Sequence, residues 1–205
     1  MKFKKALPFI IMAFVIIFDQ ATKIAIINNF AIPPDNPYCQ SNGGYLDCVE
    51  YNKNKLYKLN VIGDYGRFVF VENTGAVFGI MRDVGSPIVK IIITLIALIV
   101  ISIFYRYIKN DQFLVKACFG AIIGGGIGNL IDRIFGDILY WGNFKFIYGR
   151  VIDFIDTGIN EQWRWGIYNV ADAAGVIAVV IIIIYMIIYR KDNIFISKKD
   201  EKNSN

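Results

Sequence analysis

Residues 87–108 read PIVKIIITLIALIVISIFYRYI, and that run decides the fold. Apart from Lys90 it carries no charge before Arg106, and a bilayer hydrocarbon core of about 30 Å is crossed by roughly 20 helical residues. A second apolar run follows almost at once, and two more lie toward the ends of the chain. We therefore expect spans at about 6–27, 88–108, 113–134 and 170–189. Composition agrees: of 205 residues 56% are hydrophobic, and the mean hydropathy is +0.47. That is too apolar for an ordinary soluble domain. The fold class expected is an all-α membrane protein, with four transmembrane helices, a small extracytoplasmic β-element and interfacial loops. Residues 1–190 form its single domain and 191–205 a charged cytoplasmic tail.

Lys2, Lys4 and Lys5 ahead of an apolar run imitate a secretory signal peptide. The chain then continues through DQATK into more apolar sequence, with no small-x-small cleavage site, so an uncleaved first span is expected. Orientation follows from the bias of Lys and Arg in short flanks. One basic cluster precedes span one. Arg106, Lys109 and Lys116 surround the tight turn between spans two and three, and Arg190, Lys191, Lys198, Lys199 and Lys202 follow span four. Four spans put all three clusters on one side, so both termini are expected in the cytoplasm. Segments 28–86 and 136–168 then face outward.

Those outer segments differ in kind. Residues 28–60 are rich in Asn, Pro, Gly, Asp and Lys and read as an irregular loop. GRFVFVENTGAVFGI (66–80) reads as short strands around an Asn-Thr-Gly turn. Residues 138–168 carry Tyr140, Trp141, Trp163, Trp165 and Tyr168, the residue types of interfacial anchors.

The chain has no histidine, which removes Ser-His-Asp and Cys-His catalysis, the HExxH zinc site and His-ligated haem. Its three cysteines form no CxxC pair. Cys39 and Cys48 share an outer loop and are candidates for a disulfide, whereas Cys118 reads as a small apolar filler. The net charge of +5 lies in ends and loops, without a basic aromatic face for nucleic acid. GGGIG (124–128) lacks the GxxxxGK[ST] of a phosphate loop, and Gly124 and Gly128 have the spacing of close helix packing.

Charged groups inside a bilayer are costly and read as functional by default. Asp19, Asp132, Asp153 and Asp172 fall at the outer ends of the spans or at their mouths. Asp19 has Lys23 one helical turn on, the spacing of an ion pair, and Asp132 with Arg133 suits a buried polar network. Asp172, between Ala171 and Ala173, has no basic residue within a turn. Asp153 lies in the apolar run VIDFI with Arg150 as its nearest cation in sequence. Two adjacent carboxyls cannot easily both ionise, so Asp153 and Asp172 together would give one acid and one base able to activate water against a peptide carbonyl. Asp156 is a competing partner for Asp153, and a proton- or ion-coupled transporter also uses buried acids. Asn73, Asn129 and Asn169 need hydrogen-bond partners if buried and are candidates to hold the acids or bind substrate backbone.

DQATK, NTGAVFG, GNLIDR, VIDF and NVADA, in that order from Asp19 to Asp172, resemble the motif set of the lipoprotein signal peptidases (signal peptidase II). The resemblance implies a bacterial inner-membrane aspartyl endopeptidase that cleaves prolipoproteins before a diacylglyceryl-modified cysteine. It places the catalytic pair on Asp153 and Asp172. Supporting or substrate-binding roles fall on Asp19, Lys23, Asn73, Gly75, Asn129, Asp132, Arg133 and Asn169. It implies no metal or organic cofactor. The partners it implies are diacylglyceryl-modified prolipoproteins and membrane lipids, not nucleic acid, for a monomer whose active site faces outward. A presenilin-like protease is the other acid-based peptidase to weigh, but its GxGD signature is absent. The first outer segment and Ile138–Arg150 are enlarged relative to the family pattern, without interrupting a motif.

Overall fold

The computed structural model describes residues 2–30, 47–51, 54–74, 86–109, 112–142, 146–160 and 162–189. The expectations placed on Gly75, on a Cys39–Cys48 bond and on the tail at 191–205 fall outside those residues. Four helices, α1 (Lys2–Phe30), α2 (Pro87–Arg106), α3 (Phe113–Trp141) and α4 (Val170–Ile188), are each long and apolar enough to cross a membrane. Helix α2 shows why. Its mean hydropathy reaches 2.8, its buried residues are Lys90 and Ile91, and Ile92, Leu95, Ile96, Ile99 and Ile103 are exposed. A helix apolar on nearly every side, with all its backbone bonds internal, is built for lipid.

Helix α3 runs on to Trp141, past the end expected for its span near 134. Asp132 and Asp137 mark where polar residues begin, but a helix that leaves hydrocarbon need not end there. Its 29 residues span about 43 Å at 1.5 Å per residue, well beyond the hydrocarbon core.

The chain divides into two compact units. The first holds α1 as far as Phe18, α2 from Ile92, α3 as far as Leu130 and α4 from Ala171. Its glycines set the packing. A Cβ on Gly120 would stand 2.3 Å from the Pro8 carbonyl oxygen and one on Gly124 2.8 Å from that of Met12, so Gly120 and Gly124 are the GxxxG pair that seats α1. A Cβ on Gly125 would lie 2.5 Å from the Ala171 carbonyl oxygen, and one on Gly126 2.7 Å from the Leu98 side chain. Three consecutive glycines thus meet three different helices. Where the residue met is backbone the neighbour cannot swing aside. Gly125→Ala should therefore push α3 from α4 and cost about 1–3 kcal/mol, the usual range for overpacking, read as a lower thermal midpoint in detergent. Elsewhere in this unit Ile108 and Val115 are buried with Tyr105, Phe119, Ile182 and Tyr185 packed on them.

The second unit carries the β-element, an antiparallel sheet in the order β1 (Asp47–Tyr51), β2 (Asn54–Ile62), β3 (Gly66–Asn73) and β4 (Val151–Thr157). Two strands thus lie where 28–60 read as an irregular loop. Lys55, Lys58 and Asn60 interrupt the apolar signal of β2, but its strand bonds are made to β1 on one side and β3 on the other. A turn precedes β3 at Gly63–Tyr65, where Gly63 takes φ +49°; the turn expected at Asn73-Thr74-Gly75 runs into residues outside those described. Phe154 of β4 is buried with Ile26 and Phe30 from the end of α1, and Phe68, Phe70, Ile155 and Val170 close around them.

Candidate active site

Strand β4 carries VIDF with Asp153 opposite Val71 of β3. Asp153 is 1% exposed, and a buried carboxylate requires donors. It has them on both oxygens: the Asn73 side-chain amide donates to Oδ2 at 2.6 Å and that of Asn169 to Oδ1 at 2.7 Å. Asn169, fully buried, also reaches the Ile152 carbonyl at 3.3 Å. An acceptor held by two N–H groups suits an ionised carboxylate, which has acceptors only.

Asp172 lies in the first turn of α4, where helix N-terminal N–H groups favour negative charge. Its sequence neighbours offer no base, and Asn129, a candidate to hold the acids, donates its side-chain amide to Oδ1 at 2.9 Å. Local packing explains the reach. Gly125 lets the α3 backbone meet Ala171, and Asn129 lies one turn further along the same face of α3.

Asp19, Lys23 and Asp132 form a fully buried ion triad. The Lys23 ammonium stands 2.6 Å from Asp19 and 2.8 Å from Asp132. Asp132 further accepts from Gln20 at 2.9 Å, from the Tyr140 hydroxyl at 2.6 Å and from the Ile152 backbone N–H at 3.1 Å. That last bond ties the triad to the residue beside Asp153. Sequence spacing gave the Asp19–Lys23 pair; Tyr140, expected among the interfacial anchors, instead donates to Asp132, and Gln20 carried no separate signal. Arg133, also buried, offers its backbone carbonyl to the Gly149 N–H at 2.8 Å.

Two neighbours of Asp153 are occupied elsewhere. Asp156, three residues on and so on the other strand face, is buried between the guanidinium groups of Arg67 and Arg164. Arg150 pairs with Glu72, which also accepts from the Tyr148 hydroxyl. Burial works against the charged Arg150, but Glu72 overrides it and raises its pKa; burial and the bond to Glu72 push the Tyr148 phenol up. Lys90, buried near the start of α2, donates to the carbonyl of Thr74, directly after Asn73. Arg150, the nearest cation to Asp153 in sequence, thus pairs with Glu72 instead, and no spacing rule pointed to the partners of Arg67, Arg164 and Lys90.

The family model for signal peptidase (SPase) II matches residues 11–188. The chain belongs to the signal peptidase II family. It is similar to the lipoprotein signal peptidase of Clostridium tetani, 36% identical over 62% of this chain and 72% of that one. It is 35% identical to that of Syntrophotalea carbinolica over 58% and 68%, and 29% identical to that of Moorella thermoacetica over 86% and 90%. A bacterial membrane enzyme solved by the in meso method at 2.3 Å superposes with a TM-score of 0.60 at 27% identity, covering 93% of this chain and 94% of that one. This signal peptidase II family member is thus a multi-pass membrane peptidase, and the transporter reading finds no support.

Proposed function

We propose that the chain is an aspartyl endopeptidase that frees prolipoproteins of their signal peptides by cutting before the diacylglyceryl-modified cysteine. Asp153 and Asp172 are its working pair. The observation that carries this is the buried Asp153 carboxylate with an asparagine amide on each oxygen. One of those amides, Asn169, begins the NVAD segment that ends in Asp172. The names of the relatives supply the substrate class.

In the mechanism, one carboxylate takes a proton from water as the oxygen attacks the scissile carbonyl carbon. The other carboxyl, protonated, gives its proton to the carbonyl oxygen. The gem-diol collapses as the C–N bond breaks, and a proton passes to the leaving amine. The two groups exchange roles over the cycle and titrate as a pair. Asn73, Asn169 and Asn129 orient the carboxyls and are positioning residues.

The basic flanks of the spans support cytoplasmic termini and an outward-facing site in the bacterial inner membrane. The chain acts as a monomer in contact with membrane lipids. To test the reaction, purified protein is given one prolipoprotein with and without diacylglyceryl on its cysteine, and cleavage is read by mass. Cutting of the lipidated form alone, one bond before the cysteine, is expected. Equal cutting of both forms would remove the lipid-dependent reading.

A further inference from the structure

A second polar site lies at the end of α3. An open cleft of about 180 Å³ is lined by Glu72, Asp137, Trp141, Tyr148 and Arg150. Its walls are built rather than incidental. The Tyr148 ring lies so close over Gly136 that a Cβ there would stand 2.3 Å from it. The loop carrying that ring is pinned to α3 by Ile147 N–H to the Ile134 carbonyl at 2.9 Å and Gly149 N–H to the Arg133 carbonyl at 2.8 Å. Gly149 and, unusually for a β-branched residue, Ile147 take positive φ to make that turn. Trp141 donates its indole N–H to the Tyr148 hydroxyl at 3.2 Å.

The charges in the cleft are unevenly satisfied. Both oxygens of Glu72 are occupied, one by Tyr148 and one by Arg150. Arg150 stacks over the Tyr148 ring at 5.6 Å, and its side chain is 48% exposed, so part of its planar fork still faces the cleft. Asp137, one turn before Trp141, makes no hydrogen bond or ion pair among the described residues. The cleft therefore offers a guanidinium edge, an open carboxylate and an indole. A simple anion meets Asp137 and a simple cation meets Arg150. A ligand with both signs fits: phosphate on the guanidinium, ammonium against the carboxylate and the indole face.

Position supplies the rest. At about 43 Å, α3 outruns the hydrocarbon core, and its Trp141 end reaches the headgroup layer. Phe135, Leu139 and Phe146 stand exposed beside it, with Phe135 and Phe146 packed edge to face, an apolar wall for acyl chains next to a polar cleft. We infer that this cleft binds the headgroup of a zwitterionic aminophospholipid, with Arg150 on the phosphate and Asp137 and Trp141 on the primary ammonium.

The inference is independent of the cleavage reaction, and its test does not use cleavage. Purified protein is equilibrated in detergent with equimolar phosphatidylethanolamine and phosphatidylglycerol, and retained lipid is identified by native mass spectrometry. Phosphatidylethanolamine should be enriched about tenfold, equivalent to 1.4 kcal/mol. Asp137→Asn, which breaks no hydrogen bond or ion pair among the described residues, should bring the two lipids to parity, and Asp137→Glu should keep the preference. Equal retention by the unmutated protein, or a preference that survives Asp137→Asn, overturns the assignment. So does displacement by soluble phosphoethanolamine at the same concentration as the lipid, which would give the cleft to a water-soluble solute.

Discussion

Asp153→Asn and Asp172→Asn are each expected to slow removal of a lipid-modified signal peptide by about 10³-fold, within the range for losing a positioned acid or base. The amide keeps the shape of the carboxyl but can neither take the proton from water nor deliver one. The structural cost differs between the two positions. At Asp153 both oxygens accept an amide N–H, so the substituted side chain places its own NH₂ against one donor. Asn73, half-buried, can turn its amide over and present its oxygen instead, which keeps the fold. At Asp172, Asn129 donates to one oxygen, and the new amide can keep that bond. Folded variants, checked by thermal unfolding, are then compared in single-turnover cleavage. An Asp172→Asn protein with unmutated turnover would falsify the pairing.

The second large effect is expected at Lys23. Its ammonium lies between Asp19 and Asp132 with none of the three exposed. Lys23→Met leaves two carboxylates buried without their cation, and removing one partner of a buried pair costs about 3–5 kcal/mol. The loss should extend beyond stability, since Asp132 also holds the N–H of Ile152, next to Asp153. Cleavage should therefore fall further than the folded fraction does. A double change, Asp19→Asn with Lys23→Met, removes a like charge along with the cation and should recover a substantial part of the thermal midpoint, because members of one network are not additive. If the double variant is as unstable as the two single losses added together, the three groups do not act as a unit.

The spans were legible because lipid demands long apolar runs, and 87–106 can be little else. The β-element was only half legible. GRFVFVEN alternates visibly, but β2 carries Lys55, Lys58 and Asn60 among its apolar residues, and its strand character comes from pairing on both edges. Helix α3 continues past the end expected for its span, because acids mark the edge of hydrocarbon rather than the end of hydrogen bonding. At the candidate site, residue types were legible, and of the partners the one within a helical turn, Lys23 for Asp19. Asp156 competes with Asp172 on sequence distance alone; Arg67, far back on β3, removes it from that role. Asn129 and Asp172 meet because Gly125 meets Ala171, and no spacing rule links those two segments.

Gly124, Gly125 and Gly126 face α1, α4 and α2 in turn. Successive residues of a helix point about 100° apart, so these three contacts bracket most of its circumference. Turning α3 about its own axis to relieve one contact drives another side of the helix into a neighbour. The helix is a spline in its housing: it has no torsional freedom to use, whatever is bound nearby. Asn129, one turn along, inherits that fixed bearing, and with it the direction from which Asp172 receives its N–H.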